Sequence, residues 1–303
     1  MNYKGYRMKE YYLLCDESGA KGYSDSMESS VDKVGVMAGY LVPDNQIVTI
    51  RKELNKIRNN YFTGGKVHIS DLSPDEQVSL RCEIFKYIKI NCLYCVYEAI
   101  SVEGFISFYK DLNQRFEQIK GENISPTKTP DIKFKECLHF LLFQGIFADV
   151  SACLYDNAGD KFILTVISDN IDKGVLKQFE KKADELLSFD KSIKDTWKRF
   201  NHDSKQIEEY TLSFTVDDLD NFLVDLSGIK FSIKKEDSGL TLAADVLANS
   251  INHHLSTRYN EIIETGLKTI DAMKGYYLNE NIYGLSDSDE IPSYSDILYN
   301  KKV

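Results

Sequence analysis

Three aspartates stand where their charge is costly. Asp16 ends the apolar run YYLLCD, Asp169 ends KFILTVISD, and Asp245 interrupts the helix-like stretch LAADVLA. Asp16 and Asp169 are each the first acid after a strand-like run, and in open α/β sheets ligands gather at the carboxyl ends of the strands. If those two strands are parallel neighbours, their carboxylates converge. Asp245 must face a polar partner or bear the cost of burial. Three such acids on one rim make a hard-oxygen site suited to Mg²⁺ or Mn²⁺. A pair of these ions, roughly 4 Å apart, clamps the attacking and leaving oxygens in phosphodiester cleavage. A strand-end Asp is also an ordinary turn former or helix cap. Each acid alone therefore decides little, and the order strand, strand, helix carries the reading.

Four further residues extend the candidate set. Glu17 doubles the charge at Asp16, and two adjacent carboxylates repel unless something positive sits near them. His68, in KVHISDL, is placed to orient water or bind a scissile phosphate; it reads equally well as a surface histidine in a turn. Lys234 and Lys235 precede the segment carrying Asp245 and could neutralise phosphate charge, or be solvated charges on a loop.

The segment Asp16-Glu17-Ser18-Gly19 after an aromatic-apolar strand resembles the signature of the large bacterial family catalogued as domain of unknown function 3800. Val166-Ile167-Ser168-Asp169 is similar to the family's later strand ending in Asp. Asp237-Ser238-Gly239-Leu240-Thr241-Leu242-Ala243-Ala244-Asp245 resembles its Ser-bearing segment and Q-L-A-D-like helix. Lys66-Val67-His68 lies where the family carries an E-x-H-like element. The resemblance spans about residues 11 to 255. It implies an RNase H-like mixed sheet flanked by helices, an acidic metal site at Asp16, Asp169 and Asp245, nuclease activity, and a setting in phage defence or mobile elements. Lys66 stands in place of a Glu and Thr241 in place of a Gln, with Glu17 or Asp71 as substitutes for the missing carboxylate. A catalytically inactive module that binds a protein partner or nucleic acid is the other outcome the resemblance allows.

The elements that must position these residues follow from pattern. Strands are expected at 11–17, 34–42, 92–102, 161–170 and 209–216, and helices at 45–60 with Asp44 as N-cap, 74–89, 103–119, 131–156, 171–188 and from about Leu240. The polar connection between the first two strands is expected to form an exposed flap, residues 121–130 a loop, and 189–206 irregular chain. Strands alternating with helices make an α/β domain. It is expected to cover 1–275, with a helical insertion at about 101–156 and a loose tail over 276–303.

Composition bounds what remains. The 303 residues carry a net charge of −10 and are 43% hydrophobic, with ample material for a core. Proteins that bind nucleic acid through bulk charge are usually basic, so here a local basic patch, a metal or a partner would have to recruit it. The six Cys are scattered, and Cys92-Leu93-Tyr94-Cys95 lacks the second pair that a structural zinc site needs. No glycine-rich phosphate loop and no G-x-S-x-G elbow occurs. The apolar run from Leu138 to Val150 is interrupted by Gln144 and Asp149, and no spanning segment is expected. A cytoplasmic protein with reduced thiols is expected, with a protein partner or a second copy as further possible contacts.

Overall fold

A computed structural model describes residues 8–20, 33–61, 64–107, 134–159, 161–169, 173–187, 192–201, 204–215, 228–265 and 272–283. Its centre is a five-stranded mixed sheet. Strands β1 (Lys9–Gly19), β2 (Val34–Pro43), β3 (Cys95–Ser101), β4 (Phe162–Ser168) and β7 (Lys230–Lys235) lie in the order β3-β2-β1-β4-β7. β2 runs antiparallel to β1 and β3, while β1, β4 and β7 are mutually parallel. β2 is buried along nearly its whole length, as its continuous apolar run requires of a strand covered on both faces.

Each face of the sheet closes its own core. Side chains alternate along a strand, so Leu14 points to one face and Leu13 and Cys15 to the other. The Leu14 face is covered by α1 (Asp44–Asn60), α2 (Pro74–Ile90) and α5 (Gly239–Thr257). The other is covered by α3 (Phe134–Ala158) and α4 (Lys173–Leu187), where Phe143 stacks on Phe179 at 4.0 Å between ring centroids. The helix expected inside an insertion is therefore one layer of the core. Within it, Leu138–Tyr155 is long and apolar enough to cross a membrane by length and composition, but it is mostly buried in the protein.

α5 is fitted closely to its neighbours. A Cβ on Gly239 would lie 2.2 Å from the carbonyl carbon of Leu54, so only glycine admits α1 at this distance. Ser238 caps the helix by accepting from the Leu240 N–H at 3.2 Å, and Tyr40 donates to the Leu240 carbonyl at 2.9 Å.

Several expectations change. Asp44 lies in the first turn of α1, with Pro43 at the N-cap position, and its carboxylate accepts instead from Tyr12 Oη at 3.3 Å. The stretch expected to be irregular contains β5 (Ser192–Asn201), which pairs antiparallel with β6 (Gln206–Thr215). Lys234 and Lys235 belong to β7 rather than to a loop. Residues 276–283 pack: Leu278 is fully buried and the Tyr283 N–H donates to the Cys95 carbonyl at 2.8 Å. A short helical segment begins at 102; residues 108–119 of the helix expected there, most of the flap, the 121–130 loop and residues 284–303 lie outside the described residues.

Burial pushes the Asp149 carboxyl on α3 up to about 7. In the unfolded chain a carboxyl of this type titrates near ~4. Between those values the folded chain keeps a proton that the unfolded chain has lost, so stability falls as pH rises through this window. Urea midpoints measured across it should decline more steeply for the wild type than for Asp149→Asn. Parallel profiles would mean that Asp149 ionises normally.

Candidate active site

The parallel pairing of β1 and β4 brings two of the acids together. Cys15 is in register with Ser168, which places Asp16 and Asp169 at the next step on adjacent strands. Alternation sends both toward the Leu14 face, under α5. Asp245 comes down from α5 onto the same rim, close enough that Asp169 raises its pKa and that its own charge raises that of Asp16.

The electrostatics are those of a crowded, half-dry acidic site. Asp16 is only 8% exposed. Its pKa is held well above the usual carboxylate range, first by burial and then by the charges of Glu17 and Asp245. Asp245 is raised too, by burial most of all; the Ile69 N–H and the His68 and Lys66 charges pull the other way. The buried Cys15 thiol beneath them is pushed up by burial and by the two adjacent acids.

The compensating groups arrive on the chain between α1 and α2. A short 3-10 turn, Ile69–Asp71, presents its first N–H to Asp245 Oδ2 at 2.8 Å. His68 Nδ1 lies 3.7 Å from the same oxygen. Lys66 forms an ion pair with Asp169 Oδ2. Lys66 thus places an ammonium among the carboxylates. The turn is itself held in place, because Gln77 at the start of α2 donates to the Leu72 carbonyl at 2.9 Å.

Not every candidate converges in the same way. Glu17 leaves β1 toward the α3 face, yet its charge still helps raise the pKa of Asp16. It also approaches His139 Nε2 of α3 at 4.0 Å. His139 is nearly fully buried, and a single imidazole in CLHFLLF gave no sign in the sequence that it would lie beside the acids. Asp71 is exposed; its backbone N–H donates to the His68 carbonyl at 3.1 Å, and among the described residues no bond joins its carboxylate to the rim. Lys234 and Lys235 are exposed on β7, in register with Ile167 and Ser168, one strand from Asp169. Cys92 lies in the exposed turn before β3, and Cys95 is buried as the strand's first residue. Among the described residues, no group of three or more His, Cys, Asp or Glu side chains is arranged to hold a metal ion.

No protein-family model matches the chain, and no curated protein matches it.

The Lys66–Asp169 pair should be measurable as a coupling. Lys66→Met and Asp169→Asn, singly and together in EDTA, should show an interaction of about 1–2 kcal/mol in chemical unfolding. Strictly additive changes would mean that the pair contributes nothing to stability.

Proposed function

We propose that the chain is a divalent-metal-dependent phosphodiester hydrolase, a nuclease of RNase H-like architecture. The observation that carries this reading is the meeting of Asp16, Asp169 and Asp245 on one sheet rim beneath α5. The strand order β3-β2-β1-β4-β7, with β2 alone reversed, supports the architectural part. So does the resemblance of the four motifs that carry these residues.

Carboxylate oxygens are the donor type that a hard cation takes, although the three side chains as they stand are not arranged as a ligand set. The charges of Glu17 and Asp245 both bear on the buried Asp16, and a cation placed among like charges would relieve them. Asp16, Asp169 and Asp245 would hold Mg²⁺ or Mn²⁺, with Glu17 at the edge. When bound, such an ion supplies Lewis acidity and makes a bound water more acidic. The chain's own residues have separate tasks. The Ile69 N–H fixes the Asp245 carboxylate. His68, beside that carboxylate, is placed to orient water or a phosphate oxygen. Lys66 offsets the Asp169 charge until another cation competes for it. Lys234 and Lys235 give the neighbouring strand a positive end that would receive substrate phosphate.

The Lys66–Asp169 ion pair also favours a second reading. A rim whose charge is balanced from within suits an RNase H-like module that binds a protein or a nucleic acid without cleaving it.

Fluorophore–quencher oligonucleotides of DNA and RNA, single- and double-stranded, test the two readings in the presence of Mn²⁺. Cleavage by the wild type, lowered roughly 100-fold or more in Asp16→Asn and Asp245→Asn, is expected. Undiminished cleavage by both variants contradicts the assignment of the acids. No cleavage of any substrate leaves the binding module as the reading.

A further inference from the structure

Beside the acidic rim, between α2 and α5, lies a cavity of about 480 Å³ of opposite character. Lys33, Arg81 and His253 line it together with the amides of Gln77, Asn249 and Asn252, and among the described residues no carboxylate lines it. On a chain with 47 acidic residues against 37 basic ones, a cavity whose described lining is cations and neutral polar groups is a local reversal of charge. Two cations facing one cavity repel each other, which an anion placed between them would relieve.

Among the described residues, no carboxylate pairs with either cation. Arg81 Nη2 donates to Asn249 Oδ1 at 2.8 Å and to Gln77 Oε1 at 3.4 Å, both neutral oxygens. These bonds leave Nε and Nη1 of its five-donor fork for an outside acceptor. Lys33 lies over the Tyr259 ring, 5.1 Å from its centroid. Among the described residues neither cation forms a salt bridge. Both bonds to Arg81 also fix its fork, so an anion would meet a donor already oriented.

The cavity and the acids share their supports. Asp245, Asn249, Asn252 and Ser256 recur at i, i+4, i+7 and i+11 on one face of α5. At 1.5 Å per residue the cavity residues lie roughly 6 to 16 Å along the helix from Asp245. Asn252 ties this part of α5 to the strand ends by donating to the Val34 carbonyl at 3.0 Å. Gln77 stands in the cavity wall and also holds the chain that hands Ile69 N–H to Asp245. Among the described residues no Phe, Tyr or Trp lines the cavity, so its described wall offers donors and charge for phosphates rather than a platform for stacking bases.

We infer that this groove binds the sugar-phosphate backbone of a nucleic-acid strand, holding the phosphates next to the link presented to the acids. The inference rests on the phosphodiester reading above and names where its substrate lies. Recognition here is of charge and spacing, and independent of base sequence.

The test reads binding alone, so that its failure is distinct from failure of the acids to cleave. A short fluorescein-labelled single strand is titrated with the protein in EDTA, and anisotropy is followed over a series of salt concentrations. Arg81→Glu and Lys33→Glu should each weaken binding by about tenfold or more, and Arg81→Ala or Lys33→Ala should reduce the log–log salt slope by about 0.7. Arg81→Lys should retain most of the affinity, and its thermal midpoint shows that the fold is intact. Wild-type protein that binds no strand, or charge reversals that leave binding unchanged, would overturn the groove assignment. Equal displacement of the strand by polyglutamate would overturn it too, in favour of an acidic protein partner.

Discussion

Like charge on one rim is the constraint that the rest of this structure answers. Parallel pairing of β1 with β4 puts Asp16 and Asp169 side by side, and α5 adds Asp245 from above. Two unit charges about 4 Å apart near a protein surface interact by about 4 kcal/mol, so three of them cannot be held together without compensation. The protein supplies it in three forms: the Lys66 ammonium on Asp169, the Ile69 N–H on Asp245, and burial that favours the protonated form of Asp16. The Ile69 contact depends on α5 staying close to the sheet, which Gly239 against α1 and the Tyr40 hydroxyl on the Leu240 carbonyl secure.

Much of this was legible in the sequence, for a physical reason. Asp16 and Asp169 end strands whose apolar runs are unmistakable, and Asp245 interrupts an apolar helix where a carboxylate has few excuses. The central strand β2 follows from its continuous apolar run, and helices α1 to α5 from apolar spacing and helix-start signals. What escaped was what periodicity does not mark. β7 is a short strand with three lysines, and it reads as a charged loop until its pairing with β4 supplies the ladder. β5 gains its regularity only from β6. The His139 approach to Glu17 joins residues far apart in the chain and has no local signature.

Lys66 shows the same limit from the other side. In the sequence it is a deficit, a base where an acid was expected. In the structure it is a counter-charge, because the chain between α1 and α2 carries it to Asp169. Whether a position is a lost ligand or an internal cation depends on what it faces, and facing is not written in a motif. The groove along α5 extends the point: Lys33, Arg81 and His253 are far apart in the chain, and only folding gathers them into a positive cavity beside a negative site. An acidic rim and a cavity with two basic side chains thus lie along one helix face of a chain whose net charge is negative.

The claim on which everything else turns is that the three aspartates form one cation site. Titrating Mn²⁺ against the protein, with the free ion followed by its electron paramagnetic resonance signal, tests it most directly. Saturable binding that Mg²⁺ displaces, and that Asp16→Asn and Asp245→Asn abolish, is the predicted result. A wild-type protein that leaves the free Mn²⁺ signal unchanged would contradict the account, and would mean that Lys66 and burial already supply all the compensation the acids receive.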